Sequence, residues 1–364
     1  MSNVRVRFLK LEVLDEYKRK ILVESVDRVL QHGRIVLGPE VEELEKKIAH
    51  YCGVRYAVGV NSGTDAVYLA LRSLDIGIGD EVITTCLSWI ATANAIRLTG
   101  ATPVFVDIKD DFNINPDEIE TKITPNTKAI LPVHFTGKIC NMEKISAIAE
   151  KYNIPVVEDA AQAFGAIRNG KKAGSLGTVA AFSMNPMKVF AACGEAGMIL
   201  TNNEKIYNKL LALRYNGTID RTEAIYISHN GRLDTIQAAI LLERFNWFED
   251  EISKRKSAVE YYQKNLKDLV EIPSEEEGCR DVYYTFNCLV RDRDKLQLFL
   301  MEHGIETKIH HGLLMPQHKA HKVPGKWPVG EKIAKNSLCL PLYTDISRKE
   351  QDYVIEKIKA FYHG

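Results

Sequence analysis

Between about residue 55 and residue 215 the chain alternates short β-rich runs with helical patterns, and this restricts the fold more than any other feature. Tyr56–Val60, Glu81–Thr84, Thr102–Asp107, Lys128–Val133, Pro155–Asp159, Val179–Ser183 and Met198–Thr201 read as strands. Asp65–Leu74, Ile90–Leu98 and Met142–Tyr152 read as helices between them. Strands separated by helices require crossover connections, so the expected fold is α/β with a mostly parallel central sheet covered on both faces. After Asn230 the pattern changes. Leu233–Phe245 and Trp247–Leu266 read as long amphipathic helices, followed by strands at Tyr284–Val290 and Glu306–Ile309 and helices at Lys295–His303 and Arg348–Tyr362. The predicted division is a large domain over residues 1–245 and a smaller α+β C-terminal domain over 246–364.

Composition excludes several classes. Lys plus Arg equals Asp plus Glu at 48 each, so no global field favours nucleic acid, and an anionic ligand must be held by local groups. No apolar run approaches membrane-spanning length. The seven cysteines are scattered, with no C-x-x-C pair, and His310-His311 do not share a helical face, so no metal site is expected. Met1 to Arg7 lacks the apolar core of a signal peptide, and a reduced, cytoplasmic, soluble protein is expected.

Ligands of open parallel sheets lie beyond the carboxyl ends of the strands, where the polar motifs of this chain fall. Asn61-Ser62-Gly63-Thr64 follows one strand and opens a helix, a place where backbone N–H groups and the helix dipole favour a phosphate. A plain N-cap by Ser62 or Thr64 accounts for the same residues. Ser183 ends another strand and offers a further donor. Asp159 leaves the apolar run Pro155-Val156-Val157, where a carboxylate is costly unless paired. It either caps a helix at Ala160–Phe164 or pairs with a cationic ligand atom. Lys188 follows a proline turn and precedes the small residues Ala191-Ala192-Cys193-Gly194, which allow close approach of a ring. A strand-end aspartate and a loop lysine are what a pyridoxal 5'-phosphate (PLP) site needs: the carboxylate keeps the pyridine nitrogen protonated and the lysine bonds the aldehyde. Trp89 offers a flat face for such a ring or belongs to the core; His134 ends a strand and either meets ligand or completes a polar network. A nicotinamide-dependent dehydrogenase fits the coarse pattern, but no G-x-G-x-x-G opens the first βα turn.

These motifs resemble the DegT/DnrJ/EryC1/StrS family of PLP-dependent nucleotide-sugar aminotransferases, of PLP fold type I. The resemblance runs from Gly38-Pro39-Glu40-Val41 to Leu340-Pro341-Leu342-Tyr343. It is most specific at Asn61-Ser62-Gly63-Thr64-Asp65-Ala66, at Glu158-Asp159-Ala160-Ala161-Gln162, and at Asn230-Gly231-Arg232-Leu233-Asp234. It implies that Gly63, Thr64 and Ser183 bind the cofactor phosphate, Trp89 stacks on the ring, Asp159 pairs with its nitrogen and Gln162 lies beside it. It implies that Lys188 is the Schiff-base lysine. Asn230 would reach the neighbouring site of a homodimer, and Arg232 and His311 would lie on the sugar-nucleotide side. The chain departs from the family pattern at Met184-Asn185, at Met187 and at Gly194-Glu195-Ala196-Gly197.

The reaction this implies is a ping-pong transfer of an amino group from L-glutamate to a nucleotide-linked ketosugar, UDP or dTDP bound. Asn230-x-Arg232-Leu233-Asp234 resembles members that aminate a 3-keto hexose more than those that act on 4-keto sugars. Amino sugars of this kind usually feed surface polysaccharide, glycoprotein or antibiotic assembly. The alternatives are a 4-keto aminotransferase, a PLP-dependent sugar dehydratase, against which Lys188 speaks, and a non-catalytic ligand sensor on the same fold.

Overall fold

A computed structural model describes residues 4–363. Its centre is a seven-stranded sheet in the order Thr102–Val106, Glu81–Thr85, Thr127–Leu131, Val157–Asp159, Val179–Ser183, Gly197–Thr201, Tyr56–Val60. Two ladders are joined in its middle by parallel bridges from Ile130 to Val156 and from Val133 to Asp159. Gly197–Thr201 is the single antiparallel member of the seven, pairing antiparallel with both neighbours. The other six run the same way, so their carboxyl ends share one edge.

The sequence period of two explains how this sheet is buried. Val157, Val179, Ala181 and Ile199 point to one face, into a core completed by the Gly63–Ser73 and Glu204–Leu213 helices. Ala180, Phe182, Met198 and Leu200 point to the other, against the Pro39–Cys52 and Met142–Tyr152 helices. Side chains alternate across a strand, so a sheet covered on both faces must be apolar at nearly every position. The strand Val179–Ser183 is buried at all five.

The C-terminal part has its own core around an antiparallel pair, Phe286–Leu289 with Ser337–Leu340, packed by the Arg293–Glu302 and Arg348–His363 helices. Val6 belongs to this core and bridges Ile305, so the start of the chain is tied to its end. The Phe248–Leu266 helix serves both parts: Phe248 and Ile252 enter the large core, while Val259, Tyr262 and Leu266 enter the small one.

Three local expectations change. No helix follows Asp159: residues 160–166 form tight turns, with Ala163 N–H donating to Ala160 O and Gly165 at φ +89°. Glu306–Ile309 is not a strand, because only Ile305 and Lys308 find single bridge partners. Two long helices, Glu16–His32 and Pro39–Cys52, precede the sheet where no element is expected. The first buries only Leu22, Ser25 and Val29 and leaves Val23 and Leu30 exposed, so its apolar period is blurred.

Candidate active site

The carboxyl ends of Tyr56–Val60, Val157–Asp159 and Val179–Ser183 open into one cleft of about 440 Å³. Register sets its floor. Val60 and Ser183 both pair with Gly197, which levels the two strand ends, and Asp159 pairs with Ala181, two residues deeper. Gly63, Thr64, Trp89, Asp159, Gln162, Ser183, Lys188 and His311 all line this cleft. Eight of the ten residues to which the resemblance assigns a site role are therefore brought together.

Ser62 caps the Gly63–Ser73 helix, its Oγ accepting from Asp65 N–H at 3.1 Å. The N-cap reading is thus correct for Ser62, and the amides of Gly63 and Thr64 remain in a first turn that offers no intrahelical acceptors. A Cβ on Gly63 would overlap the Ser183 side chain, lying 2.7 Å from its Oγ. Helix start and strand end therefore touch, and only glycine permits it.

Asp159 is buried at the bottom of the cleft. Its Oδ2 accepts from Thr92 Oγ at 2.7 Å and its Oδ1 from Ala161 N–H at 3.2 Å. Burial raises its pKa, opposed by these two donors and by the nearby charge of Lys188. Such a carboxylate gains from a cationic partner. Lys188 sits on a turn held by its own N–H to Asn185 O at 2.8 Å, and Asn185 Nδ2 is in turn tied to Glu195 at 2.6 Å. Desolvation pulls its amine down to a pKa of about 8, against the attraction of Asp159 and Glu195. A lysine so placed loses its proton readily.

Gln162 accepts from Thr136 N–H at 2.8 Å, which orients its amide in the wall. Trp89 is 62% exposed at the mouth, with its ring centroid 6.1 Å from that of His311. It is thus not a core tryptophan. Burial lowers the pKa of His311 to about 3 and of His310 to about 4, which leaves both imidazoles neutral near pH 7. His134 resolves as part of a polar network. Its Nδ1 accepts from Cys140 N–H and its Nε2 donates to Glu158 at 2.9 Å, fully out of reach of solvent.

Asn230 and Arg232 are not among the residues lining the cleft. Arg232 Nε donates to Asn230 Oδ1 at 2.7 Å, and its guanidinium lies 4.6 Å over the Tyr215 ring. Residues not assigned roles in the sequence also line the cleft: Thr92, Tyr284, Lys308 and His310. Thr92 lies in the helix read over Ile90–Leu98, three residues after Trp89, and that proximity was the available signal. For Tyr284 and Lys308, on C-terminal segments far off in sequence, there was none. Among the described residues, no group of three or more His, Cys, Asp or Glu side chains is arranged to hold a metal ion.

This arrangement has known counterparts. The sequence model of the DegT/DnrJ/EryC1/StrS aminotransferase family matches residues 16–359. The chain belongs to that family. It is similar to a pleiotropic regulatory protein of Geobacillus stearothermophilus, with 39% identity over 99% of each chain. It is equally similar, at 39% over 98% of this chain and 99% of the other, to the dTDP-3-amino-3,6-dideoxy-alpha-D-galactopyranose transaminase of Aneurinibacillus thermoaerophilus. Among solved structures it resembles NtdA of Bacillus subtilis with bound cofactor PMP, at a TM-score of 0.94 and 32% identity, covering 100% of this chain and 87% of that one.

As a DegT/DnrJ/EryC1/StrS aminotransferase, the chain is a PLP enzyme of fold type I, and its cleft fits that cofactor. Gly63 lets Ser183 close against the helix start, so the serine hydroxyl stands beside first-turn amides, where an anionic group is favoured. Asp159 is a buried acid with only neutral donors in contact, and Lys188 supplies an amine of lowered pKa.

Proposed function

We propose that this aminotransferase transfers the amino group of L-glutamate to the 3-keto position of a nucleotide-linked hexose, dTDP or UDP bound, by ping-pong transamination. The observation that carries the reading is the joint presence of Asp159, Lys188, Ser183 and Gly63 at one sheet edge, in a chain 39% identical along its length to a 3-amino-sugar transaminase.

When bound, PLP supplies an electron sink for the carbon next to the transferred nitrogen. Gly63, Thr64 and Ser183 would hold its phosphate, Trp89 its ring face, Gln162 its edge and Asp159 its ring nitrogen. Thr92 and Ala161 favour the ionised form of Asp159 against the burial that raises its pKa, and they aim it, so the acid would deliver its charge without reorganising. Lys188 would bond the cofactor aldehyde and, when its amine is free, would be the base that takes a proton from the donor's α-carbon and gives it back. Its lowered pKa suits it to both directions near neutral pH. Neutral His310 and His311, with Arg232, would face the sugar nucleotide.

A homodimer is part of this proposal. Asn230 and Arg232 stand outside the cleft of their own chain, a placement that suits residues serving a neighbouring site. All seven cysteines are free, in keeping with a reducing compartment, and the cytoplasm is proposed as the location. The similarity to a protein named as a regulator supports a sensor reading, but the acid–amine pair needed for catalysis is intact here. The test is a mass-spectrometric screen of nucleotide 3-ketosugars and 4-ketosugars with glutamate. The expected result is a 3-amino product with equimolar 2-oxoglutarate. Amination confined to 4-ketosugars, or loss of water without 2-oxoglutarate, would refute it.

A further inference from the structure

The Lys188 ε-amine lies 4.1 Å from the centre of the Tyr284 ring. Asp159 and Glu195 act on this amine by through-space attraction, without a hydrogen bond to it. The aromatic face is therefore its defined contact. Tyr284 is buried, and it arrives from the C-terminal part of the chain, just before the Phe286–Leu289 strand.

The support behind it is unusual. Arg255, on the Phe248–Leu266 helix, is buried and donates through one terminal nitrogen to the carbonyls of both Tyr283, at 2.6 Å, and Tyr284, at 3.0 Å. Its Nε has no partner, and Glu251 attracts it without forming a salt bridge. Burying a guanidinium on carbonyl oxygens is costly, and burial pulls its pKa down to about 10. The contact fixes a turn in which Tyr283 is held at φ +49°, a conformation a tyrosine rarely adopts alone. The cost is thus spent on the backbone that carries the Tyr284 ring.

We propose that Tyr284 holds the Lys188 amine in the cleft whenever that amine is not bonded to the cofactor, its ring face receiving the ammonium, and that Arg255 is the positioning residue that fixes Tyr284. This rests on Lys188 being the cofactor lysine. During turnover the released lysine must stay within reach of the reacting carbon, and a ring face retains a cation without competing for the proton as a carboxylate would. The charged and titratable groups around the amine are Asp159, Glu195, Lys308, His310 and His311. The two imidazoles are neutral near pH 7, and burial lowers the lysine's pKa against the attraction of Asp159 and Glu195; the proposed ring contact would add to that attraction.

The test uses the full-length chain freed of cofactor. Reductive methylation with formaldehyde and cyanoborohydride across pH, read on the Lys188 peptide by mass spectrometry, gives the pKa of this amine without any turnover. Tyr284→Phe keeps the ring face and is expected to leave that pKa in place. Tyr284→Leu removes it and is expected to lower the pKa by roughly half to one unit, since a ring face is worth about 0.5–1 kcal/mol or more and one unit is about 1.4 kcal/mol. Phenylalanines of increasing ring fluorination at 284 keep the shape, which guards against misfolding, and should step the pKa downward. Arg255→Lys should move it the same way by less. A pKa unchanged across the fluorinated series and in Tyr284→Leu would overturn the proposal. Failure of the underlying reading looks different: cofactor absorbance would survive in Lys188→Ala, whatever the ring contact does.

Discussion

The floor and the rim of the cleft are built by different means. The floor consists of strand ends and one helix start, locked by register: Ser183 level with Val60, Asp159 beneath, Gly63 against Ser183. The rim consists of irregular segments, with Trp89 at 62% exposure and His311 at φ +63°, and beyond it, outside the cleft of this chain, stands the exposed Asn230 beside Arg232. Rigid backbone suits the end where the chemistry is constant, since reacting groups must be held in one geometry. Loops suit the end where the substrate varies among relatives. Floor changes should therefore damage the cofactor's chemistry, and rim changes the recognition of the sugar nucleotide.

The largest effect is expected from Asp159→Asn. The neutral amide removes the charge that stabilises a protonated ring nitrogen, and the half-reaction with glutamate should slow by roughly 10²- to 10³-fold, with a smaller loss of cofactor affinity. Stopped-flow absorbance for the first and equilibrium titration for the second separate the two; equal losses would remove the electronic role of Asp159.

Gly63→Ala comes next. Its methyl group overlaps Ser183, and overpacking of this kind costs about 1–3 kcal/mol. Cofactor affinity should fall roughly ten- to hundredfold while glutamate KM changes little, as measured by cofactor titration. Wild-type affinity would mean that the helix start does not meet the phosphate.

The pattern of what could be read in advance follows the same floor–rim divide. Tyr56–Val60, Met142–Tyr152 and Val179–Ser183 have the bounds read from the sequence, because buried strands and amphipathic helices carry local periodic signals. Asp159 and Ser183, each the polar residue that ends such a run, and Gly63, at the turn between a strand and a helix, were singled out by the same local signals. Thr92 and Tyr284 were not assigned, since their importance lies in a contact with Asp159 or Lys188 that only folding creates. Glu306–Ile309 misled because β-rich composition does not supply a pairing partner, and only Ile305 and Lys308 find one. The Glu16–His32 helix escaped because it exposes apolar residues that a helix packed within one chain would cover.

The smallest effect is expected beyond the rim, at Arg232. Arg232→Ala should raise the KM for the nucleotide sugar by about tenfold, in line with the loss of one charge-assisted contact, and leave the cofactor absorbance and the glutamate half-reaction intact. A change in the glutamate half-reaction instead would place Arg232 with the floor.

The proposed chemistry of the floor depends on the Lys188 amine bonding the cofactor and on Asp159 holding its ring nitrogen. Borohydride reduction of the loaded enzyme, followed by peptide mass mapping, fixes that bond where it stands. The account predicts a phosphopyridoxyl group on Lys188 and on no other lysine; the label on a different lysine, with Lys188 unmodified, would contradict it.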